Sequence, residues 1–318
     1  MPFVSVVVPV KDRRGLLREL LTALAAQTWT NYEVIVVDDG SADGSTEEAS
    51  SAAARGLDVR VVESGGRGAV AARQTGVAAA RGQYLAFTDD DCVPQPGWVA
   101  AVASALEDAD VVQGRTMPDP GQIEHGNAFS HSILVEDEWG FYEACNMGYR
   151  RRVLEELDGF DESFRRPFGE DTDLAWRAKR SAARIVFEPV ALVLHDVRRQ
   201  TYAEHLRDLW RREGVVRAMK RNPEMRRLCR YGVFWRPAHP SALAAAAGLA
   251  AVAGRPRARS RWLAGVALCL PYIRYRTRTF PTGRPRNRPV VIPLALASDL
   301  AEIGVLAVAS VRYRTLLL

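Results

Sequence analysis

The stretch Gln83-Tyr84-Leu85-Ala86-Phe87-Thr88-Asp89-Asp90-Asp91-Cys92 reads as a buried strand that runs straight into three consecutive acids. Adjacent carboxylates repel one another, and a strand end tolerates three of them when a hard divalent cation neutralises them through oxygen ligands. A cation held there can in turn hold phosphates. A solvated acidic turn or a helix cap is the competing reading of the triplet taken alone.

Outward from this stretch, apolar runs alternate with helix-like patterns. Phe3-Val4-Ser5-Val6-Val7-Val8-Pro9 is a β-branched run closed by proline, and Tyr32-Glu33-Val34-Ile35-Val36-Val37-Asp38-Asp39 is a second strand closed by acids. Between them Leu16, Leu17, Leu20, Leu21 and Leu24 recur at helical spacing. Residues 57–62 read as a third strand, 69–80 as an alanine-rich helix and 83–88 as a fourth strand, with Ser41-Ala42-Asp43 capping a helix between the second and third. Farther on, residues 115–145 look irregular, and 174–181 read as a helix followed by a strand over 184–188. This alternation predicts an α/β fold with a mostly parallel, doubly wound sheet, in which ligands bind outside the carboxyl ends of the strands. Asp38-Asp39 and Asp89-Asp90-Asp91 then face one crevice, which argues against the solvated turn.

At 318 residues, 47% hydrophobic and 25% charged, the chain has ordinary globular composition and length for a large core plus an appendage. Charge is polarised along it. Residues 1–196 carry 19 basic and 32 acidic side chains, net −13, and residues 197–318 carry 24 and 6, net +18. A basic rear suits nucleic acid or an anionic membrane surface; apolar and aromatic residues interleave with its arginines, which favours the membrane, and no nucleic-acid partner is expected. Cys92, Cys145, Cys229 and Cys269 lie far apart without C-x-x-C spacing, so neither a zinc site nor a disulfide framework is read, as suits a reducing cytoplasm. Residues 3–10 enter a strand without a charged leader, so no signal peptide is read. The boundary between a 1–200 domain and a 201–318 region is expected near residue 200.

Taken together, Pro9, Gln27-Thr28, the run Tyr32 to Ser41 with Asp43-Gly44-Ser45, Ala72-Arg73, Ala80-Arg81-Gly82, Asp89-Asp90-Asp91, Asn146-Met147, Gly159-Phe160-Asp161-Glu162 and Gly169-Glu170-Asp171-Thr172-Asp173-Leu174-Ala175-Trp176-Arg177 closely resemble the family 2 glycosyltransferases of the GT-A fold over roughly residues 1–200. The resemblance implies a nucleotide-sugar donor, with UDP the commonest choice. It places Asp39 on the base or ribose, with Asp38 and Ser41 alternatively closing the turn, and Pro9 at the wall of the base pocket, where a structural strand-end proline is the other option. Arg73 matches the basic residue that approaches the nucleotide, and Gln74 departs from the usual Asn. Asp89 and Asp91 match the outer acids of a D-x-D motif that holds Mg²⁺ or Mn²⁺ against the diphosphate, a role Asp90 can take instead. Asp171 matches the catalytic base, and the dipole of the helix it precedes is expected to keep it ionised; a helix N-cap is its structural alternative. Glu170 is placed on acceptor hydroxyls. His195, a core residue by default, gains a role on the metal or diphosphate. One base and no enzyme nucleophile imply inversion. Trp98 reads as core.

In the rear, residues 241–253 and 262–273 are apolar but too short to span a bilayer, which takes about 20 residues. They read as helices dipping into the cytoplasmic leaflet with arginines, among them Arg255, Arg257, Arg274, Arg276, Arg278, Arg284, Arg286 and Arg288, on lipid phosphates. A soluble helical subdomain with a solvated basic face is the alternative. Residues 293–311 include Asp299 and Glu302, which argues for a packed or amphipathic helix. The segment Arg207 to Arg212 sits where processive membrane synthases of this superfamily carry Q-x-x-R-W and does not match it, so single-sugar transfer is expected. The expected function is therefore inverting, metal-dependent transfer of one sugar to a lipid-linked or cell-envelope glycan acceptor, at the inner membrane face. Its alternatives are a sugar nucleotidyltransferase, disfavoured because Pro9-Val10-Lys11-Asp12-Arg13 lacks a glycine-rich loop, and a non-enzymatic, membrane-docked nucleotide-sugar-binding protein.

Overall fold

The computed structural model describes residues 3–164, 168–254, 259–279 and 288–318. The chain divides into two compact units. One comprises the chain up to Asp119 together with Ser132–Asp196, and the other Pro120–His131 together with Val197–Leu318.

In chain order the elements are β1 (Val4–Val10), α1 (Arg14–Ala25), β2 (Tyr32–Asp38), α2 (Ser45–Ala54), β3 (Val59–Glu63), α3 (Ala69–Ala79), β4 (Tyr84–Thr88), β5 (Cys92–Pro94), α4 (Trp98–Asp108), β6 (Val111–Pro118), α5 (Pro120–Ile123), β7 (Asn146–Arg150), α6 (Arg151–Glu156), α7 (Glu170–Arg180) and β8 (Ile185–His195). All but α5 belong to the first unit. Its eight strands form one sheet in the order β3-β2-β1-β4-β7-β6-β8-β5. The pairs β1–β2, β2–β3, β1–β4 and β6–β8 are parallel, whereas β7 and β5 run against their neighbours. Central strands of a parallel sheet are covered on both faces, which is why β1 is apolar at nearly every position and buried along its whole length.

The leucines of α1 that face the sheet, Leu17, Leu20, Leu21 and Leu24, are buried against it with Trp98, Val102 and Leu106 of α4. Trp98 is core, as expected, and its Nε1 donates to Asn146 Oδ1 at 2.8 Å. A polar knot closes the opposite end of the sheet. Glu33, fully buried, accepts from Ser5 Oγ at 2.7 Å, from the Arg81 amide at 2.8 Å and from Arg60 Nη2 at 2.8 Å. Gly82 sits against this knot so closely that an added Cβ would lie 2.6 Å from Ser5 N and 2.7 Å from Phe3 O.

Three local expectations change. The helix after β2 is capped by Gly44 in the left-handed region, and Asp43 instead binds Ser45 N and Oγ, so Ser41-Ala42-Asp43 forms the turn before the cap. The helix expected from Leu174 starts at Glu170, because Gly169 at φ +91° supplies the turn and leaves the acids in the first helical turn. Residues 115–118, expected to be irregular, continue β6 through a register shift between Gly114 and Arg115.

In the second unit α8 (Tyr202–Asp208), opened by a Thr201–Glu204 capping box, leads through a 3₁₀ turn to α9 (Glu213–Arg221), α10 (His239–Gly254), α11 (Arg259–Arg278) and α12 (Arg288–Tyr313). Helices α10 and α11 are close-packed through glycine, since a Cβ on Gly248 would lie 2.6 Å from Gly265 O. Their outer faces leave Leu249, Trp262, Leu263 and Leu270 more than half exposed. Pro289–Tyr313 is long and apolar enough to cross a membrane by length and composition. Its two acids are buried and paired: Asp299 with the Tyr272 hydroxyl at 2.6 Å and with Arg276, and Glu302 with Arg236 at 2.8 Å. The expected lipid contacts of Arg255, Arg257, Arg284 and Arg286 lie outside the described residues, as does the side chain of Arg288.

Candidate active site

Parallel pairing of β2 and β4 on either side of β1 brings both acidic strand ends to one edge of the sheet, beside the point where successive connections leave β1 in opposite directions. Asp39 lies just beyond β2, buried, with its carboxylate accepting from Ser64 Oγ at 2.6 Å and from the Gly68 amide at 3.0 Å. Asp38 accepts from the Ser41 amide at 3.1 Å, which is the turn-closing role. Pro9 is buried within β1 in register with Val37.

The acidic triplet is divided among different cationic partners. Asp89 Oδ1 receives Arg73 Nη2 at 2.6 Å, and the other arm of Arg73, Nη1, reaches Glu170 Oε1 at 2.8 Å. Asp90 and Asp91 both accept from Nη1 of Arg13, each at 2.8 Å. Burial pushes the Asp90 carboxyl up to about 7 against the pull of Arg13. Asp91 Oδ1 lies 3.6 Å from His195 Nε2. The antiparallel pairing of β5 with β8, in which Cys92 is the register partner of His195, makes this meeting of residues distant in sequence. The Asp196 amide donates to Asp91 O at 2.9 Å and locks the register. His195 Nδ1 lies 2.8 Å from Asp196 O, which can only accept. Nδ1 therefore donates to that carbonyl, and Nε2 faces Asp91.

Of the three residues expected on a metal, Asp91 and His195 thus converge, whereas Asp89 is held by Arg73. A carboxylate oxygen and an imidazole nitrogen 3.6 Å apart can share one divalent cation. Cys92 lies in the same cluster, and burial pushes its thiol far up.

Asp171 sits in the first turn of α7. Its Oδ2 accepts from the Ala144 amide at 3.0 Å and its Oδ1 from the Thr172 amide at 2.7 Å. The cap of α7 is Gly169, and Asp173 pairs with Arg177 within the helix, so neither acid is the N-cap. Burial raises the Asp171 carboxyl, opposed by Arg73 and by the two amides. Glu170 is 2% exposed. Burial, then Asp171, push its carboxyl up to about 7 while Arg73 pulls it down.

Further residues complete the site. Arg13 follows β1 without any motif to mark it, although a cation facing an acidic triplet is electrostatically required. Gln74, the departure from Asn, accepts from the Phe160 amide at 2.9 Å and so binds the 158–160 loop to α3. Glu143, in the loop before β7, accepts from Gln113 Nε2 at 3.0 Å; burial, then Asp171, push its carboxyl up to about 7. This loop is docked on α7 by Trp176 Nε1, which donates to Gly140 O at 3.0 Å.

Comparison with known proteins agrees with this architecture. Residues 5–158 match the family model Glycosyl transferase family 2. The chain is 31% identical over 212 residues to the pre-mycofactocin glycosyltransferase of Mycobacterium tuberculosis strain CDC 1551, a match covering 62% of this chain and 43% of that protein. It is 33% identical over 172 residues to glycosyltransferase AglE of Haloferax volcanii, covering 50% and 56%. The chain therefore spans about half the length of these curated relatives. Among solved structures, the mannosyltransferase PcManGT of Pyrobaculum calidifontis, in complex with GDP-Man and Mn²⁺, superposes with a TM-score of 0.70 at 20% identity over 95% of this chain and 86% of that one, a likeness of fold. With its mostly parallel sheet, its two acidic strand ends on one edge and these matches, the chain has the GT-A fold, and over residues 5–158 it is similar to glycosyl transferase family 2.

Proposed function

We propose that the chain transfers one sugar from a nucleoside-diphosphate sugar to an acceptor hydroxyl on a glycan or lipid-linked glycan, with inversion at the anomeric carbon. The observation that carries this reading is the convergence, on one sheet edge, of Asp39, of Asp91 with His195, and of Asp171 beside the Glu170–Arg73–Asp89 bridge. Asp39 and the Pro9 edge of β1 take the nucleoside, Arg73 supports the acids nearest the phosphates, and Asp90 reinforces Asp91 through their shared partner Arg13. Asp91 and His195 would hold Mg²⁺ or Mn²⁺, which when bound offsets the charge of the departing diphosphate.

Asp171 receives the proton of the acceptor hydroxyl as that oxygen attacks. Two backbone amides orient its carboxylate, and its burial raises its proton affinity, both of which favour a general base. Glu170 Oε2 is buried without a hydrogen-bond partner and is suited to accept from an acceptor hydroxyl. The exposed apolar side chains of α10 and α11, flanked by arginines, support peripheral attachment to an anionic membrane surface, on the cytoplasmic face. The twelve residues between Arg261 and Arg274 carry no charge and rise only about 18 Å as a helix, short of a bilayer core of about 30 Å.

The test is binding and hydrolysis of UDP-, GDP- and dTDP-sugars, UDP first, with and without Mn²⁺, in the wild type and in Asp91→Ala. Metal-dependent binding of one donor, lost in the variant, supports the assignment. Absence of binding to every donor overturns it.

A further inference from the structure

Beside Asp171 the site carries an aromatic wall that the transfer chemistry leaves unused. Trp139, in the loop before β7, keeps 45% of its surface exposed. The Phe141 ring meets it with centroids 4.7 Å apart and planes at 68°, an edge-to-face contact that occupies at most one face of either ring. The indole Nε1 donates to Glu143 Oε2 at 3.2 Å, and Gln113 Nε2 donates to the same oxygen at 3.0 Å. One residue on, the Ala144 amide holds Asp171 at 3.0 Å, so the Glu143 carboxyl and the proposed base share one short loop.

Two acceptors here lack partners. Gln113 Oε1 and Glu170 Oε2 make no hydrogen bond, although their residues are only 1% and 2% exposed. An acceptor buried without a donor forfeits the hydration it had in the unfolded chain, and a fold retains one where a ligand supplies the missing donor. Hydroxyl groups are the matching donors, and an exposed indole is the matching surface for a flat patch of C–H groups. A pyranose ring offers both at once, with hydroxyls around its rim and an apolar face. A phosphorylated acceptor would instead meet the carboxyls of Glu143, Glu170 and Asp171.

We propose that Trp139, Glu143 and Gln113 form a binding site for a pyranose ring, so that the acceptor is a glycoside whose terminal sugar lies on Trp139 and presents its hydroxyl to Asp171. The assignment of this sugar as acceptor rests on the transferase reading above; the existence of the sugar site does not.

The test is saturation-transfer NMR and tryptophan fluorescence on the full chain. The probes are the methyl pyranosides of glucose, galactose, mannose and N-acetylglucosamine, against glycerol 1-phosphate as a non-sugar alcohol, with and without UDP and Mn²⁺. The expected result is that at least one pyranoside binds through its ring protons, that Trp139→Ala weakens it about tenfold or more, as truncation of a contact tryptophan does, and that Trp139→Phe keeps most of the affinity. Absence of pyranoside binding with and without nucleotide overturns the proposal, as does binding that Trp139→Ala leaves unchanged. Nucleotide binding, read in the same samples, separates the two claims. Nucleotide bound without pyranoside removes the sugar site alone, whereas a Trp139-dependent pyranoside without any nucleotide leaves the site standing and removes the transferase reading.

Discussion

Arg73 lies buried between two carboxylates, 2.6 Å from Asp89 and 2.8 Å from Glu170, and Arg73→Met tests whether this bridge supports the site. Methionine keeps an unbranched stem and removes the charge. Breaking a buried ion pair by deleting one partner costs about 3–5 kcal/mol. The Asp89 side chain is 24% exposed and recovers part of its hydration, whereas that of Glu170 is 2% exposed and does not. We therefore expect a loss of about 3 kcal/mol at pH 8.

The loss should also depend on pH. The Glu170 carboxyl stands at about 7 in the folded protein against an ordinary 4.5, with Arg73 pulling it down, so removing Arg73 moves it higher still. A carboxyl raised by folding contributes stability that is complete below 4.5 and is lost as pH rises through the folded value. Between pH 6 and pH 8 a group at about 7 loses about 1.3 kcal/mol, and one lying above 8 loses about 2.7 kcal/mol. The cost of the substitution should thus grow by about 1.3 kcal/mol over that interval. Urea unfolding in EDTA at both pH values, followed by tryptophan fluorescence and far-UV circular dichroism, reads the difference. Arg73→Met with Glu170→Gln, which removes the stranded charge, should abolish most of the pH-dependent part. A loss under about 1 kcal/mol at pH 8, or one equal at both pH values, would refute the bridge as the support of Glu170.

Asp171→Asn should lower transfer by about 10²–10⁴-fold with donor affinity held within about twofold in calorimetry; a variant that keeps its rate removes Asp171 as the base. Asp91→Ala and His195→Ala should each weaken Mn²⁺ binding, read by electron paramagnetic resonance, by about tenfold or more, and an unchanged signal in either one takes that residue off the cation. Gly82→Ala should destabilise the first unit by about 2 kcal/mol or more, since its Cβ would lie within 2.8 Å of three backbone atoms that belong to β1 and its surroundings and cannot rotate aside; a melting temperature within a degree or two of wild type is the contrary result. Trp262→Glu with Leu263→Glu should reduce sedimentation with phosphatidylglycerol vesicles while leaving circular dichroism unaltered, and equal sedimentation counts against membrane attachment through α11.

Several parts of the site were legible because they follow from periodicity and connection rules. Apolar strands closed by Asp39 and by Asp89-Asp90-Asp91, with helices between them, force both acidic clusters to one sheet edge once the sheet is parallel. Glycines were legible only as motif letters. The structure gives Gly169 its reason, a left-handed cap that starts α7 four residues before Leu174 and thereby carries Asp171 inside the first turn. Arg13, Glu143 and Gln113 left no signal, because a lone arginine after a strand or an acid in an irregular loop is indistinguishable from a solvated side chain until its partners are placed.

The sequence by itself determined the local terms: that β1 to β4 are strands, which of their ends carry acids, and how charge is polarised between front and rear. These depend on neighbours within a few residues and on a sheet topology that has few solutions. Tertiary structure alone decided the partnerships. Pairing of β5 with β8 brings His195 to Asp91 across more than a hundred residues, and Arg73 divides its two arms between Asp89 and Glu170. Burial then sets the proton affinities of Asp90, Glu143, Glu170 and Asp171. Solvation and Coulomb energies depend on distance in space, and distance in space is the quantity that a linear chain does not carry until it has folded.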